Sequence, residues 1–145
     1  MDMRFEHRDT FYVSGFSVET CGATLEKDCD ALKEKHEDRL KAISDCLYYL
    51  TWSPKGYESE DLVCHLGVES ANSTPVIESA ISIELPAARY AVATVLQGAS
   101  IVDAWQEFYS NGISSLGAEI DLNYSIHFES FDTNGICELW IPVKE

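Results

Sequence analysis

The sequence holds 145 residues, 46% hydrophobic and 24% charged, which suits one ordinary domain able to bury its own core and argues against long disorder. Asp and Glu number 25 against 10 Lys and Arg, a net charge of −15. Such a surplus repels nucleic-acid phosphates and anionic membrane surfaces and attracts cationic small molecules, and it also serves as plain solvated surface.

In chain order, residues 10–19 (TFYVSGFSVE) are β-branched and aromatic and predict a strand bent or bulged at Gly15. From 24 to 52, Leu25, Cys29, Leu32, His36, Leu40, Ile43, Leu47 and Leu50 recur every three or four residues. That spacing predicts one long amphipathic helix or two in succession, stopped by Ser53-Pro54-Lys55-Gly56. Residues 61–70 (DLVCHLGVES) and 75–85 (PVIESAISIEL) predict strands, Pro86 breaks the chain, and residues 89–96 (RYAVATVL) predict another strand. Ser100 and Asp103 have the spacing of a capping box. The helix they open carries Ile101, Ala104, Trp105, Phe108 and Tyr109 on one face and is predicted to stop at Asn111-Gly112. Residues 123–131 (NYSIHFESF) and 136–143 (ICELWIPV) predict two strands joined by the Asn-Gly turn of Asp132-Thr133-Asn134-Gly135.

The order strand, helix, strand, strand thus occurs twice. Short echoes join the halves: residues 66–70 with 126–130, 82–86 with 138–142, and Phe11-Tyr12 with Arg89-Tyr90. The fold class is α+β, a single domain over 1–145 with pseudo-repeats over about 1–86 and 87–145. Two such units about a pseudo-twofold axis form an antiparallel sheet with a central ligand cleft.

The five cysteines are odd in number and form no CxxC, and His7, His36, His65 and His127 show no metal spacing. No disulfide framework, metal or other cofactor is expected. No Walker loop, dinucleotide fingerprint or GxSxG elbow occurs. No apolar leader or spanning segment occurs either, so a cytoplasmic location is expected.

The chain resembles the GyrI-like, or effector-binding, domain of gyrase-inhibitory proteins and of AraC-type and MerR-type multidrug-responsive regulators. The residues that carry the likeness are Arg89-Tyr90-Ala91-Val92, Gly98 ahead of a helix with Trp105, Phe128-Glu129, and the closing Glu138-Leu139-Trp140-Ile141-Pro142-Val143. Val13-Ser14-Gly15-Phe16 and Gly67-Val68 suit the first half. The resemblance implies a duplicated strand-helix-strand-strand fold and a glutamate at the bottom of an aromatic pocket, here Glu129, that receives cationic ligands. With no room for a helix-turn-helix, the chain reads as a stand-alone member. Some such members sequester toxic compounds and others hydrolyse cyclopropane-bearing natural products.

Glu129 is also the leading candidate on its own chemistry, because a carboxylate on an apolar strand beside Phe128 and Phe131 is costly to bury without a partner, and a cation supplies one. Trp105 and Tyr109 lie one helical turn apart and offer aromatic walls, or plain core. Tyr48, Tyr49 and Trp52, read as the end of the first helical region, are candidates for the opposite wall, and Glu69 is the echo of Glu129. Phe128, Trp140 and Tyr90 are candidates for ligand contact, core or rim. His127, alternating with Phe128, reads as structural.

Three function classes remain. The first is a binding module for a small aromatic or cationic organic ligand, with no direct nucleic-acid or membrane partner. The second is a metal-free hydrolase with Glu129 as base and Tyr109 or Tyr90 as hydrogen-bond donor. The third is an acidic antagonist of a nucleic-acid-binding enzyme.

Overall fold

The computed structural model describes residues 1–56 and 59–145. Among the described residues, eight strands and four helical segments make an α+β fold, and all strand pairs are antiparallel. The strands are β1 (Asp2–Arg8), β2 (Phe11–Cys21), β3 (Leu47–Trp52), β4 (Asp61–Ser70), β5 (Ile81–Leu85), β6 (Ala88–Thr94), β7 (His127–Phe131) and β8 (Cys137–Val143). They form one sheet in the order β1-β6-β8-β7-β3-β4-β2-β5.

Read outward from the central β7-β3 pair, the order is symmetric. On one side come β7, β8 and β6, and on the other β3, β4 and β2. Each trio owns the helix that follows its first strand. The outermost strands are exchanged: β1 leads into β2 yet pairs with β6, while β5 leads into β6 yet pairs with β2. The echoes at residues 66–70 and 82–86 therefore join strands that hold different places in the two halves, whereas Phe11 on β2 and Arg89 on β6 do correspond.

This order forces curvature. β1 and β2 stand six strand spacings apart, roughly 29 Å in a flat sheet. The link of Asp9 and Thr10 spans at most ~11 Å from Arg8 to Phe11. The same holds for β5 and β6 across Pro86 and Ala87, so the sheet folds round to bring its ends together. The two links meet where Ala87 N–H donates to Thr10 Oγ1 at 3.1 Å.

Alternation then gives each face its own core. One face holds Phe11, Val13, Tyr48, Leu50, Leu85, Tyr90, Val92, Phe128 and Trp140, supplied by strands alone. On the other face, α1 (Leu25–Lys41) packs Leu32 and Leu40 on Leu66 and Val68. There too, α2 (Ile101–Glu107) and its continuation pack Ala104, Phe108 and Ile113 on Ala91, Leu139 and Ile141.

Four local expectations fail for identifiable reasons. The first helix stops at Lys41, and Leu47–Trp52 is the strand β3. This central strand carries apolar residues on both faces, so they fall by chance into a three-four spacing, and the Ser44-Asp45 break precedes it. Gly15 is no bulge: β2 pairs with β4 in unbroken register from Tyr12 to Cys21. A Cβ at Gly15 would stand 1.9 Å from the Leu66 carbonyl oxygen, so the glycine serves close backbone approach. Residues 75–80 are irregular and only Ile81–Leu85 is strand. Asn111-Gly112 does not end the second helix. Ser100 Oγ accepts from Asp103 N–H at 3.2 Å as expected. From there α2 runs on through a π turn (Phe108–Gly112) into α3 (Ile113–Ser115), and the stop is Gly117 at φ 69°.

His65 on β4 is fully buried, with Nε2 at 3.0 Å from the Val13 carbonyl and Nδ1 at 2.6 Å from Ser17 Oγ. Burial depresses its pKa from 6.5 to about 4. The unfolded chain therefore takes the proton first on acidification. The contribution is complete above pH 6.5 and is lost as pH falls toward 4, about 3 kcal/mol in all. In urea unfolding, the stability gap between wild type and His65→Gln is expected to narrow by that amount across this range. A gap that stays constant removes His65 as the cause.

Candidate functional site

A cleft of about 510 Å³ opens on the helix-bearing face where the two halves meet. Its floor comes from the central strands: Tyr49 and Thr51 of β3, Cys64 of β4, and His127, Glu129 and Phe131 of β7. α1 supplies one wall with Leu25 and Cys29, and α2 with its π turn supplies the other with Ile101, Trp105 and Tyr109. Glu26, Asp30, Lys33 and Val102 complete the lining.

Glu129 stands beside Tyr49 in the β3-β7 register, at the centre of the floor. Trp105 Nε1–H donates to its Oε1 at 2.6 Å, and Oε2 has no hydrogen-bond partner among the described residues. Desolvation raises the Glu129 pKa above the ordinary carboxylate value, and the Trp105 bond offsets part of that. The Trp105 and Tyr109 rings stack at 5.5 Å and 20°, and Tyr109 is 44% exposed. The Tyr109 hydroxyl meets His127 Nδ1, while His127 Nε2 is buried without a partner among the described residues. Burial alone lowers His127 to about 4, so its ring is neutral at physiological pH. Burial likewise pushes the Tyr49 hydroxyl well above the usual phenol range.

Of the residues singled out from the sequence, the fold brings Glu129, Trp105, Tyr109 and Tyr49 to one cleft. Strand alternation sends others to the far face. Phe128 stacks there on Trp140 at 5.3 Å and 10°, and Tyr90 meets both rings edge-on at 5.5 and 5.7 Å. Trp140 Nε1–H is satisfied by Ser130 Oγ at 2.9 Å, and burial raises Tyr90 to about 12. Trp52 packs against this same far-face cluster, which also holds Tyr48. Glu69, exposed on β4, accepts from Arg8 at 2.7 Å and from the Tyr48 hydroxyl at 2.8 Å. The neighbour of Glu129 across the central pair is Tyr49 rather than any residue of β4.

The sequence reading passed over His127, Phe131, Thr51, Cys29 and Cys64 as cleft residues. The signal for two of them was present: His127 and Phe131 share the parity of Glu129 on one strand. Cys29 belongs to the apolar stripe of α1, whose N-terminal turns pack on β4 beside the cleft and so also form its wall. Among the described residues no helix is long and apolar enough to cross a membrane.

Comparison with known proteins gives a consistent picture. A family model, Cass2, described as integron-associated effector binding protein, matches residues 4–143. No curated protein sequence matches. Among solved structures, the chain is similar to an integron cassette protein from the mobile metagenome of Vibrio cholerae, at 18% identity and a TM-score of 0.72 over 98% of this chain and 95% of that one. It is similar to SAV2435 bound to tetraphenylphosphonium, at 18% identity and a TM-score of 0.74 over 99% and 94%. A putative transcription regulation protein from Staphylococcus aureus MU50 follows at 16% identity and a TM-score of 0.73, over 100% and 99%.

Proposed function

We propose, from the premise that the chain belongs to the integron-associated effector binding protein family, that its central cleft holds a lipophilic organic cation. The observation that carries this is the floor carboxylate. Glu129 is half-buried, hydrogen-bonded only by the neutral Trp105 indole among the described residues, and left with one oxygen free. Such a charge is costly when the cleft is empty and is offset when a cation sits over it. The stacked Trp105 and Tyr109 rings line the same space, as does Tyr49, and aromatic faces attract cations. The lining carries Glu26 and Asp30 in addition to Glu129, against Lys33 alone, which favours positive ligands further. The similar fold of SAV2435, bound to tetraphenylphosphonium, supports a ligand of this size and charge. In this reading the protein sequesters or senses aromatic or cationic drugs and toxins in the cytoplasm, and binds no nucleic acid directly.

Isothermal calorimetry with tetraphenylphosphonium tests the reading. Saturable binding in the micromolar range, about 8 kcal/mol, is expected. Triphenylphosphine oxide, aromatic but uncharged, is expected to bind at least ~10-fold more weakly, a difference of about 1.4 kcal/mol. Equal affinity for the two removes charge recognition, and no saturation by either removes the reading.

One observation favours a second reading. A carboxylate with a raised pKa suits a general base, and the Tyr109 hydroxyl lies in the same cleft. A hydrolase of this kind would act on an electrophilic aromatic compound through water activated by Glu129. Tyr90, on the opposite face, is not part of that arrangement. Recovery of the ligand intact after prolonged incubation separates binding from turnover.

A further inference from the structure

The cleft holds a second chemical feature that the cation reading does not use. Cys29 reaches in from α1 and Cys64 from β4, and their sulfurs lie 2.7 Å apart as free thiols. Cys64 is fully buried, whereas Cys29 is partly accessible on the cleft wall. Hydrogen bonds among the described residues bring no other two thiols together.

We propose that Cys29 and Cys64 form a dithiol site that captures trivalent aryl-arsenicals, the arsenic bridging both sulfurs and the aryl ring lying in the aromatic cleft. Three features converge on this ligand class. Two thiols in contact suit a soft trivalent centre that forms two bonds to sulfur. The second bond closes within an already folded pair, so the site holds arsenic far more firmly than a single cysteine does. The cleft beside the pair is lined by Tyr49 and Trp105 and has room for an aryl group in its roughly 510 Å³. The pair is also primed for the first step: the Cys64 thiol stabilises a thiolate at Cys29 and lowers its pKa, while Cys64 itself is raised.

The reaction balances without a further reactant. An aryl-arsenoxide meets two thiols, two As–S bonds form, and the arsenoxide oxygen leaves as water with both thiol protons. Arsenic stays trivalent and neither sulfur changes oxidation state. The site does not rest on the cation reading, because the arsenical is uncharged and is held by covalent bonds.

The test uses the reduced protein and phenylarsine oxide, followed by excess 2-mercaptoethanol, which strips arsenic from isolated cysteines, and then intact-mass analysis. Wild type is expected to retain one arsenic per chain, released by a 1,2-dithiol. Capture is expected to quench tryptophan fluorescence, since Trp105 lines the same cleft. Cys29→Ser and Cys64→Ser are each expected to retain at least ~10-fold less. Cys46→Ser, on the link between α1 and β3, is expected to behave as wild type. Should Cys64→Ser fail to fold, the wild-type and Cys29→Ser arms decide. Wild type that retains no arsenic while all its thiols titrate as free overturns the proposal, and so does full retention by Cys29→Ser.

Discussion

Glu129→Gln is expected to weaken tetraphenylphosphonium binding about 100-fold, ~2.7 kcal/mol, and to raise the melting temperature of the empty protein. Glutamine keeps the shape and the oxygen that accepts from Trp105 Nε1–H, so the change removes charge and little else. The gain in stability follows from the direction of the pKa. Burial raises Glu129 in the fold, so its favourable contribution is present below the unfolded carboxylate pKa and is lost as pH rises through the folded value. At neutral pH the empty protein thus carries an unfavourable charge that glutamine relieves. Binding runs the other way. Cation affinity is expected to fall on acidification through the raised pKa, above the ~4.3 of a free glutamate. Calorimetry across pH together with thermal melts checks both halves. Equal affinity in two folded proteins takes Glu129 out of the site.

The second large effect is structural. Gly15→Val is expected to cost more than ~4 kcal/mol, enough to leave little folded protein. Gly15 pairs with Gly67 across β2 and β4, and a Cβ there would come within 1.9 Å of the Leu66 carbonyl oxygen and 2.5 Å of the Gly67 Cα. Both obstacles are backbone and neither can rotate aside. β2 is the strand on which β4 and β5 both depend. Gly22→Ala is the control, since nothing lies within 4 Å of a Cβ there. Urea denaturation or soluble yield reads the difference, and a Gly15→Val protein as stable as Gly22→Ala contradicts the packing.

The sequence disclosed what depends on local chemistry. The Ser100 cap, the Asn134-Gly135 turn and the β-branched strands at 61–70 and 137–143 all follow from residue type. Glu129 was legible as a candidate because a carboxylate amid aromatics stands out, Trp105 and Tyr109 because they lie one helical turn apart, and Tyr49 through its place at the end of the stretch read as helix. What local chemistry does not encode is which strands become neighbours. β1 (DMRFEHR) is polar and charged for a strand, and its place comes from its ladder to β6. β3 was mistaken for helix because a strand with apolar residues on both faces has no alternation to display. The site suffered from the same limit. Phe128 sits next to Glu129 in sequence and opposite to it in space, and Cys64 reaches the cleft only because β4 pairs with β3.

The exchange of outer strands has a mechanical consequence for how a ligand gets in. A two-lobed protein usually admits its ligand by swinging the lobes apart. Here, parting the halves at β3-β7 strains the two-residue links from β1 to β2 and from β5 to β6, and if those links hold it shears β1 from β6 and β5 from β2. The sheet is therefore a buckled frame braced against hinging at its centre. Any change in the width of the cleft falls to the walls: the first turns of α1, and the π turn after α2, where the helix has already given up its regular bonding at Tyr109.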